Sequence, residues 1–145
     1  MMANPDRVVR VLIVEDNPAD VYITRLALAK EMKFEAVVVD DGAPAIDYLN
    51  SEPPYEGTPK PDLVILDLNL KTIDGLQVLR WIRAKPNLLR LPVVVLSSFP
   101  PDAQHDAAVQ ASCYIQKPGT LDEYLGIGRV IRECFEETQQ DPPGK

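Results

Sequence analysis

The stretch Leu63-Val64-Ile65-Leu66-Asp67 decides how the rest of the chain is interpreted. Four aliphatic residues in a row, preceded by Pro61, predict a strand that is buried on both faces of a sheet. Asp67 stands where this strand leaves the core, and in an open α/β sheet ligands bind at that edge. The stretch alone leaves two interpretations open, because Asp67 could equally well cap a turn.

The composition excludes several classes of protein. A chain of 145 residues suits one domain with a real core. Its 22 acidic and 15 basic residues give a net charge of −7, which argues against a general nucleic-acid binder. Two distant cysteines and a single histidine disfavour a disulfide framework, a zinc thiolate site and an imidazole metal site. No 18-residue apolar run and no signal peptide are present, so we expect a cytoplasmic protein that does not enter a membrane.

Five predicted strands alternate with five predicted helices. The strands are expected at 8–14, 35–39, 63–67, 91–96 and 113–116, and the helices at 18–32, 42–50, 75–84, 100–111 and 120–137. This alternation predicts a parallel sheet with helices on both faces. We expect one domain over 8–137, between a flexible N-terminus at 1–7 and a disordered tail at 138–145.

Polar residues end four of these strands and carry the chemistry. Since parallel strands share one carboxyl edge, that edge should collect Glu15, Asp16, Asp67, Ser97 and Lys117. Three close carboxylates repel one another unless a cation lies among them, and a site with oxygen ligands suits Mg²⁺, which also binds phosphate oxygens. With a lysine and a hydroxyl nearby, such a site fits a phosphoryl group, which an aspartate can accept as an aspartyl-phosphate.

These motifs, in this order, resemble the receiver domain of two-component response regulators. The matching pieces are Val14-Glu15-Asp16, Asp67 with Asp74-Gly75 seven and eight residues later, Ser97-Ser98, and Lys117-Pro118. The resemblance covers almost the whole chain and implies a flavodoxin-like (βα)5 fold, a doubly wound five-stranded parallel sheet in three layers. Three further stretches and the long loop before the third strand are similar to single-domain regulators that partner bacterial phytochrome kinases; the stretches are 15–20, 67–70 and 113–115.

The resemblance also implies a role for each matching residue. Asp67 would accept a phosphoryl group from a kinase phosphohistidine, and Lys117 would pair with the phosphoryl oxygens. Mg²⁺ (or Mn²⁺) would be bound by Asp16, Asp67 and the backbone carbonyl of Asn69, with Glu15 acting directly or through water. Ser97 and Tyr114 would form the switch, since the hydroxyl of Ser97 moves to the phosphoryl group while the ring of Tyr114 turns inward. The Lys117–Pro118 peptide bond would be cis.

Two positions depart from the family pattern. The family often has a proline after the Asp67 loop, where this chain has Lys71-Thr72, so we expect a looser loop. Phe99 lies two residues after Ser97, at a position that borders the phosphorylation site in the family. A bulky ring there could screen the acyl phosphate from water, which leads to the hypothesis of slow autodephosphorylation.

The resemblance also implies that the binding partners of this chain would be other proteins. A sensor histidine kinase, in particular a bacteriophytochrome, would supply the phosphoryl group, and a histidine phosphotransfer protein or another protein would receive the signal. Apolar residues spread over roughly 220° of the last predicted helix, more than a surface helix needs. Either neighbouring helices cover the excess, or the chain forms a homodimer through the fourth helix, fifth strand and last helix, as the family often does.

Three rival functions remain open. A phosphatase or phosphotransferase that forms an aspartyl-phosphate usually needs a second acid two residues after the nucleophile, and this chain has Asn69 there. A flavin- or nucleotide-binding module would need a glycine- or hydroxyl-rich loop after the first strand, where this chain has Glu15-Asp16-Asn17-Pro18. A receiver-like protein that is never phosphorylated would have no need of the complete set of acids, hydroxyl and lysine.

Overall fold

The computed structural model describes residues 7–140 and contains one five-stranded sheet in the order β2-β1-β3-β4-β5. All four strand pairings are parallel. The strands are β1 (Val8–Val14), β2 (Lys33–Val39), β3 (Leu63–Asp67), β4 (Val93–Ser97) and β5 (Cys113–Gln116). Order and pairing confirm the predicted flavodoxin-like (βα)5 fold.

Within residues 7–140, six α-helices and two short 3₁₀ turns surround the sheet. The helices are α1 (Pro18–Ala29), α2 (Gly42–Leu49), α3 (Gly75–Ala84), α4 (His105–Gln110), α5 (Leu121–Leu125) and α6 (Ile127–Gln139), and the 3₁₀ turns are Pro86–Leu88 and Pro101–Gln104. In the described part of the chain, none of these helices has the length and apolar character needed to cross a membrane.

The central strand β3 divides the core into two halves. Val64 and Leu66 face one cluster, which is built with α2, α3 and α4. Leu63 and Ile65 face the other, which is built with α1, α5 and α6. Every residue of β3 is buried, as expected for a strand that is covered by helices on both faces. The molecule therefore has the predicted three layers.

The last two predicted helices differ from the structure. The segment expected as one helix over 100–111 is a 3₁₀ turn followed by α4, in which only Ala107 is buried. The segment expected over 120–137 is divided at Gly126 into α5 and α6. Helix α6 lies very close to α1, and a Cβ on Gly128 would overlap the backbone carbonyl of Ala27. The α1–α6 packing therefore requires glycine at this position.

The expectation of a cis Lys117–Pro118 bond is wrong for this structure. Over residues 7–140 the cis peptide bond is Pro53–Pro54, so Lys117–Pro118 is trans, the form that X–Pro bonds favour in general.

The expected flexible ends fall mainly on residues 1–6 and 141–145, which lie outside the described residues. Helix α6 includes Thr138 and Gln139, which the sequence placed in the tail. At the other end, the guanidinium of Arg7 lies 2.9 Å from the carboxylate of Asp62.

Candidate functional site

The carboxyl ends of β1, β3 and β5 bring one cluster of charged residues together. Carboxylate oxygens of Glu15, Asp16 and Asp67 lie within 4.8 Å of one another. The ammonium nitrogen of Lys117 lies 3.0 Å from a carboxylate oxygen of Glu15 and 3.5 Å from one of Asp67. The predicted residues from these three strand ends therefore form one site.

Asp67 is buried at this edge, as are Glu15 and Ser97. It is the last residue of β3, it is 5% exposed, and one of its carboxylate oxygens accepts a hydrogen bond of 3.1 Å from the backbone N–H of Asn69. Gly75 begins α3 directly against it, so close that a Cβ on Gly75 would overlap the Asp67 carbonyl oxygen. Glycine at position 75, eight residues after Asp67, is thus needed for helix α3 to start beside the strand end.

The pKa of Glu15 reflects burial and the crowding of carboxylates at this site. Burial raises the pKa of its carboxyl to about 8, and a hydrogen bond and the charge of Asp67 act in the same direction, against the opposing effect of Lys117. An all-oxygen set of three acids that repel one another fits a hard divalent cation such as Mg²⁺ or Mn²⁺. The Asn69 carbonyl stays a predicted further ligand.

Lys117 has a third carboxylate partner that sequence reasoning missed. Its ammonium lies 2.9 Å from a carboxylate oxygen of Asp20. Burial alone would lower the pKa of Lys117, but the hydrogen bond to Asp20 and the charges of Glu15 and Asp67 outweigh it and raise that pKa. Lys117 is therefore held as a cation among three acids.

The first turn of α1 explains where Asp20 lies. The side-chain oxygen of Asn17 accepts hydrogen bonds from the backbone N–H groups of Ala19 and Asp20, and Pro18 occupies the first helical position. The sequence offered two signals for Asp20, an acid in the first turn of a helix and its place in the stretch 15–20, and neither predicts a contact with Lys117. Its contact with Lys117 joins residues 97 positions apart.

The loop after Asp67 is fixed by Asp41, also missed by sequence reasoning. The Asp41 carboxylate caps α2 by accepting the N–H of Gly42, and it also accepts the backbone N–H groups of Thr72 and Ile73. A proline at position 72 could not donate this bond. Where the family often has a proline, Thr72 of this chain therefore connects the loop to the start of α2 through a hydrogen bond to Asp41. The structure gives no support to the expectation of a looser loop.

Ser97 and Tyr114 both bind the backbone of Phe99. The buried Ser97 hydroxyl oxygen accepts the Phe99 N–H at 3.1 Å, and the Tyr114 hydroxyl donates to the Phe99 carbonyl at 2.8 Å. The Phe99 ring is 55% exposed. It borders a cavity of about 240 Å³ together with Leu68, Asn69, Asp74, Leu76 and Gln104.

The model of the response regulator receiver domain family matches residues 11–127, which include the whole site. The chain belongs to the response regulator receiver family. This confirms the resemblance on which the roles of Asp67 and Lys117 were inferred.

Relatives of this receiver are found among phytochrome regulators. Response regulator Rcp1 of Synechocystis sp. is 33% identical over 139 residues, which cover 94% of this chain and 93% of the relative. The crystal structure of the phosphorylated cyanobacterial phytochrome response regulator RcpA shares 37% identity and a TM-score of 0.83, and the match covers 95% of this chain and all of RcpA. The Mn²⁺-bound structure of Rcp1 shares 32% identity and a TM-score of 0.81, over 90% of this chain and 96% of Rcp1. This receiver is thus similar to phytochrome-associated regulators over most of its described length.

Proposed function

We propose that this receiver acts as a stand-alone response regulator that accepts a phosphoryl group on Asp67. The observation that carries the proposal is the surroundings of Asp67, which is buried at the end of β3 with two further carboxylates within 4.8 Å and the Lys117 ammonium at 3.5 Å. These are the groups that an aspartyl-phosphate needs nearby: a cation site for the phosphoryl oxygens and a second positive charge.

The donor is a phosphohistidine of a sensor histidine kinase. A carboxylate oxygen of Asp67 attacks the phosphorus, an O–P bond forms, and the N–P bond breaks with its electron pair left on the imidazole nitrogen. Mg²⁺ or Mn²⁺, held by Glu15, Asp16, Asp67 and the Asn69 carbonyl, would neutralise charge on the phosphoryl oxygens. Lys117 supplies the remaining positive charge, so the protein contributes mainly positioning and electrostatic stabilisation.

The signal leaves the site through Ser97 and Tyr114. To reach a phosphoryl group on Asp67, the Ser97 hydroxyl gives up the N–H of Phe99, which it binds at 3.1 Å. Tyr114 is bonded to the carbonyl of the same residue, so a shift of this segment changes the surroundings of its ring. The affected surface comprises α4, β5 and the predicted last helix, which the structure divides into α5 and α6.

The partners follow from this surface and from the relatives. The similarity to the cyanobacterial phytochrome response regulator RcpA and to the bacteriophytochrome response regulator AtBRR supports a phytochrome, in particular a bacteriophytochrome, as the sensor kinase. The output passes to another protein, such as a histidine phosphotransfer protein, within the cytoplasm and without direct contact with nucleic acid or a membrane. Exposed apolar side chains on α4, α5 and α6 support a homodimer across this surface; they are Val109, Leu121 and Val130. Measuring the mass in solution over a range of concentrations tests the dimer, and a monomer at every concentration, with and without phosphorylation, contradicts it.

A turnover enzyme is the second candidate, and Asn69 disfavours it. A phosphatase of the aspartyl-phosphate class uses a general acid two residues after its nucleophile, and an amide cannot donate a proton in that role. The protein is therefore a signalling protein whose own chemistry is limited to accepting and losing the phosphoryl group.

Intact-mass measurement after incubation with MgCl₂ and acetyl phosphate tests the proposed function. We expect the wild type to gain one phosphoryl group and Asp67→Asn to gain none. Asp62→Asn, a change at the residue directly before the first residue of β3, is the matched control and should gain one group. If the wild type gains nothing, or if Asp67→Asn is phosphorylated equally, the proposal fails.

A further inference from the structure

Asp20 makes the shortest contact of the Lys117 ammonium among the three carboxylates that surround it. The nitrogen lies 2.9 Å from Asp20, against 3.0 Å from Glu15 and 3.5 Å from Asp67. The side chains of Asp20 and Lys117 are 21% and 12% exposed, so water screens the pair only in part.

Asp20 also differs from the other two partners by its place in the fold. Glu15 and Asp67 belong to the group of three carboxylates that could hold a metal ion, whereas Asp20 lies on α1 outside that group. A divalent cation among those three acids would compete with the ammonium for Glu15 and Asp67 and would repel it. With the cation bound, Asp20 would be the carboxylate that still pairs with the Lys117 ammonium.

We propose that Asp20 is a positioning residue that retains the Lys117 ammonium beside Asp67 when a divalent cation occupies the acidic cluster. Asp20 thereby allows the metal and the lysine to act on the phosphoryl group together. This inference rests on the proposed function, in which Asp67 receives the phosphoryl group and Lys117 pairs with its oxygens.

A simpler role for Asp20 makes different predictions. An acid in the first turn of a helix stabilises that helix through its dipole, whatever lies opposite. Asn17 already caps α1 through the N–H groups of Ala19 and Asp20. If helix stabilisation were the whole role, replacing Asp20 would lower the unfolding midpoint but would leave the Lys117 side chain in place.

The direct test is NMR of lysine side chains in protein labelled with ¹³C-lysine, titrated with MgCl₂ alone. The two Hε protons of a fixed lysine have separate shifts, and those of a freely rotating lysine coincide. Loss of the resonance in Lys117→Arg assigns it. Lys60, whose ammonium donates to the Leu49 carbonyl far from this site, is the internal reference.

In the wild type we expect separate Hε shifts for Lys117 both without and with saturating MgCl₂. In Asp20→Asn without metal, the two Hε shifts of Lys117 should stay separate, because Glu15 and Asp67 still hold the ammonium. Once MgCl₂ is added to this variant, the two shifts should coincide. Asp20→Glu should behave like the wild type. Asp20→Ser, which also suits a first helical turn, serves the same test if Asn perturbs folding.

Asp62→Asn is the matched control. Asp62 has a similar 25% exposure and also makes an ion pair of 2.9 Å, with Arg7, at the opposite edge of the sheet. It should not alter the Lys117 resonances. If Lys117 in Asp20→Asn keeps separate shifts in saturating MgCl₂, or if the wild type loses them, the inference is wrong.

The rate of phosphorylation by acetyl phosphate separates this inference from the proposed function. With saturating MgCl₂, Asp20→Asn should react about fivefold more slowly than the wild type, the size expected for coupling between contacting charges, and Asp20→Glu should recover most of the rate. Equal rates in Asp20→Asn and Asp62→Asn would overturn the role of Asp20 alone. No phosphorylation of the wild type would overturn the proposed function itself.

Discussion

The hydroxyl of Tyr114 donates a hydrogen bond of 2.8 Å to the backbone carbonyl of Phe99, which connects β5 to the segment that follows β4. Ser97 binds the N–H of the same residue, so both predicted switch side chains hold one peptide segment. A movement of Ser97 toward Asp67 and a movement of Tyr114 are therefore mechanically linked through the backbone of Phe99.

Tyr114→Phe should destabilise the unphosphorylated protein more than the phosphorylated one. Loss of the hydroxyl removes the bond to Phe99, which is worth about 1 kcal/mol in the free energy of unfolding. We expect phosphorylation to draw Ser97 toward Asp67 and to weaken this bond, so the loss should be smaller in the phosphorylated protein. Urea denaturation with and without acetyl phosphate measures both values. Tyr22→Phe, on the exposed face of α1, is the control, and an equal loss in the two states would argue against the linkage.

Gly75→Ala should damage both stability and phosphorylation. The added Cβ would overlap the Asp67 carbonyl oxygen and lie 2.5 Å from the Cα of Leu68, so α3 or the strand end must move. We expect a loss of about 2 kcal/mol in the free energy of unfolding, together with slower phosphorylation by acetyl phosphate.

Gly119→Ala provides the comparison for Gly75→Ala, because a Cβ at Gly119 would have open space around it. It should change neither property. A Gly75→Ala variant as stable and as reactive as Gly119→Ala would show that the close approach of α3 to Asp67 is unimportant.

Phe99→Ala should shorten the lifetime of the acyl phosphate. Phe99 lines a cavity together with Asn69 and Asp74, and removing its ring should give water easier access to the phosphorylation site. We expect hydrolysis to become several-fold faster, measured as loss of the added phosphoryl mass after the donor is removed. Phe99→Leu, which keeps much of the bulk, should fall between the two. Since the ring is largely exposed, stability should change by no more than about 0.5 kcal/mol. A short lifetime in the wild type that Phe99→Ala leaves unchanged would contradict the screening hypothesis.

Asp41 should make stability depend on acid pH. Although burial acts in the opposite direction, hydrogen bonds from Gly42, Thr72 and Ile73 lower the pKa of Asp41 below its usual value. A carboxyl whose pKa is lower in the folded state stabilises the protein above its unfolded pKa and loses that contribution as the pH falls through the folded value. Asp41→Asn should therefore flatten the acid limb of a curve of unfolding midpoint against pH. Asp40→Asn changes the residue directly before Asp41, outside this set of hydrogen bonds, and should keep the wild-type curve. The same flattening in both variants would contradict the assignment of the acid limb to Asp41.

The fold was predictable because the residues that decide it form patterns within short stretches of the sequence. The aliphatic run 63–66 predicted the central strand, and strand patterns alone placed Asp67 on one edge with the polar residues at the ends of β1, β4 and β5. The contacts that sequence patterns missed join distant segments, such as Asp20 with Lys117 and Asp41 with Thr72. The break at Gly126 was also missed, because a single glycine is tolerated within a helix and the close packing of Gly128 on Ala27 depends on tertiary structure.

Trapping the phosphorylated residue tests the central claim most directly. After incubation with MgCl₂ and acetyl phosphate, borohydride reduces an acyl phosphate on aspartate to homoserine, and peptide mass spectrometry locates the change. We expect homoserine at position 67, with Glu15, Asp16 and Asp20 unmodified. Homoserine at another position, or a phosphoryl group that borohydride does not remove, would contradict the assignment of Asp67 as the phosphoacceptor.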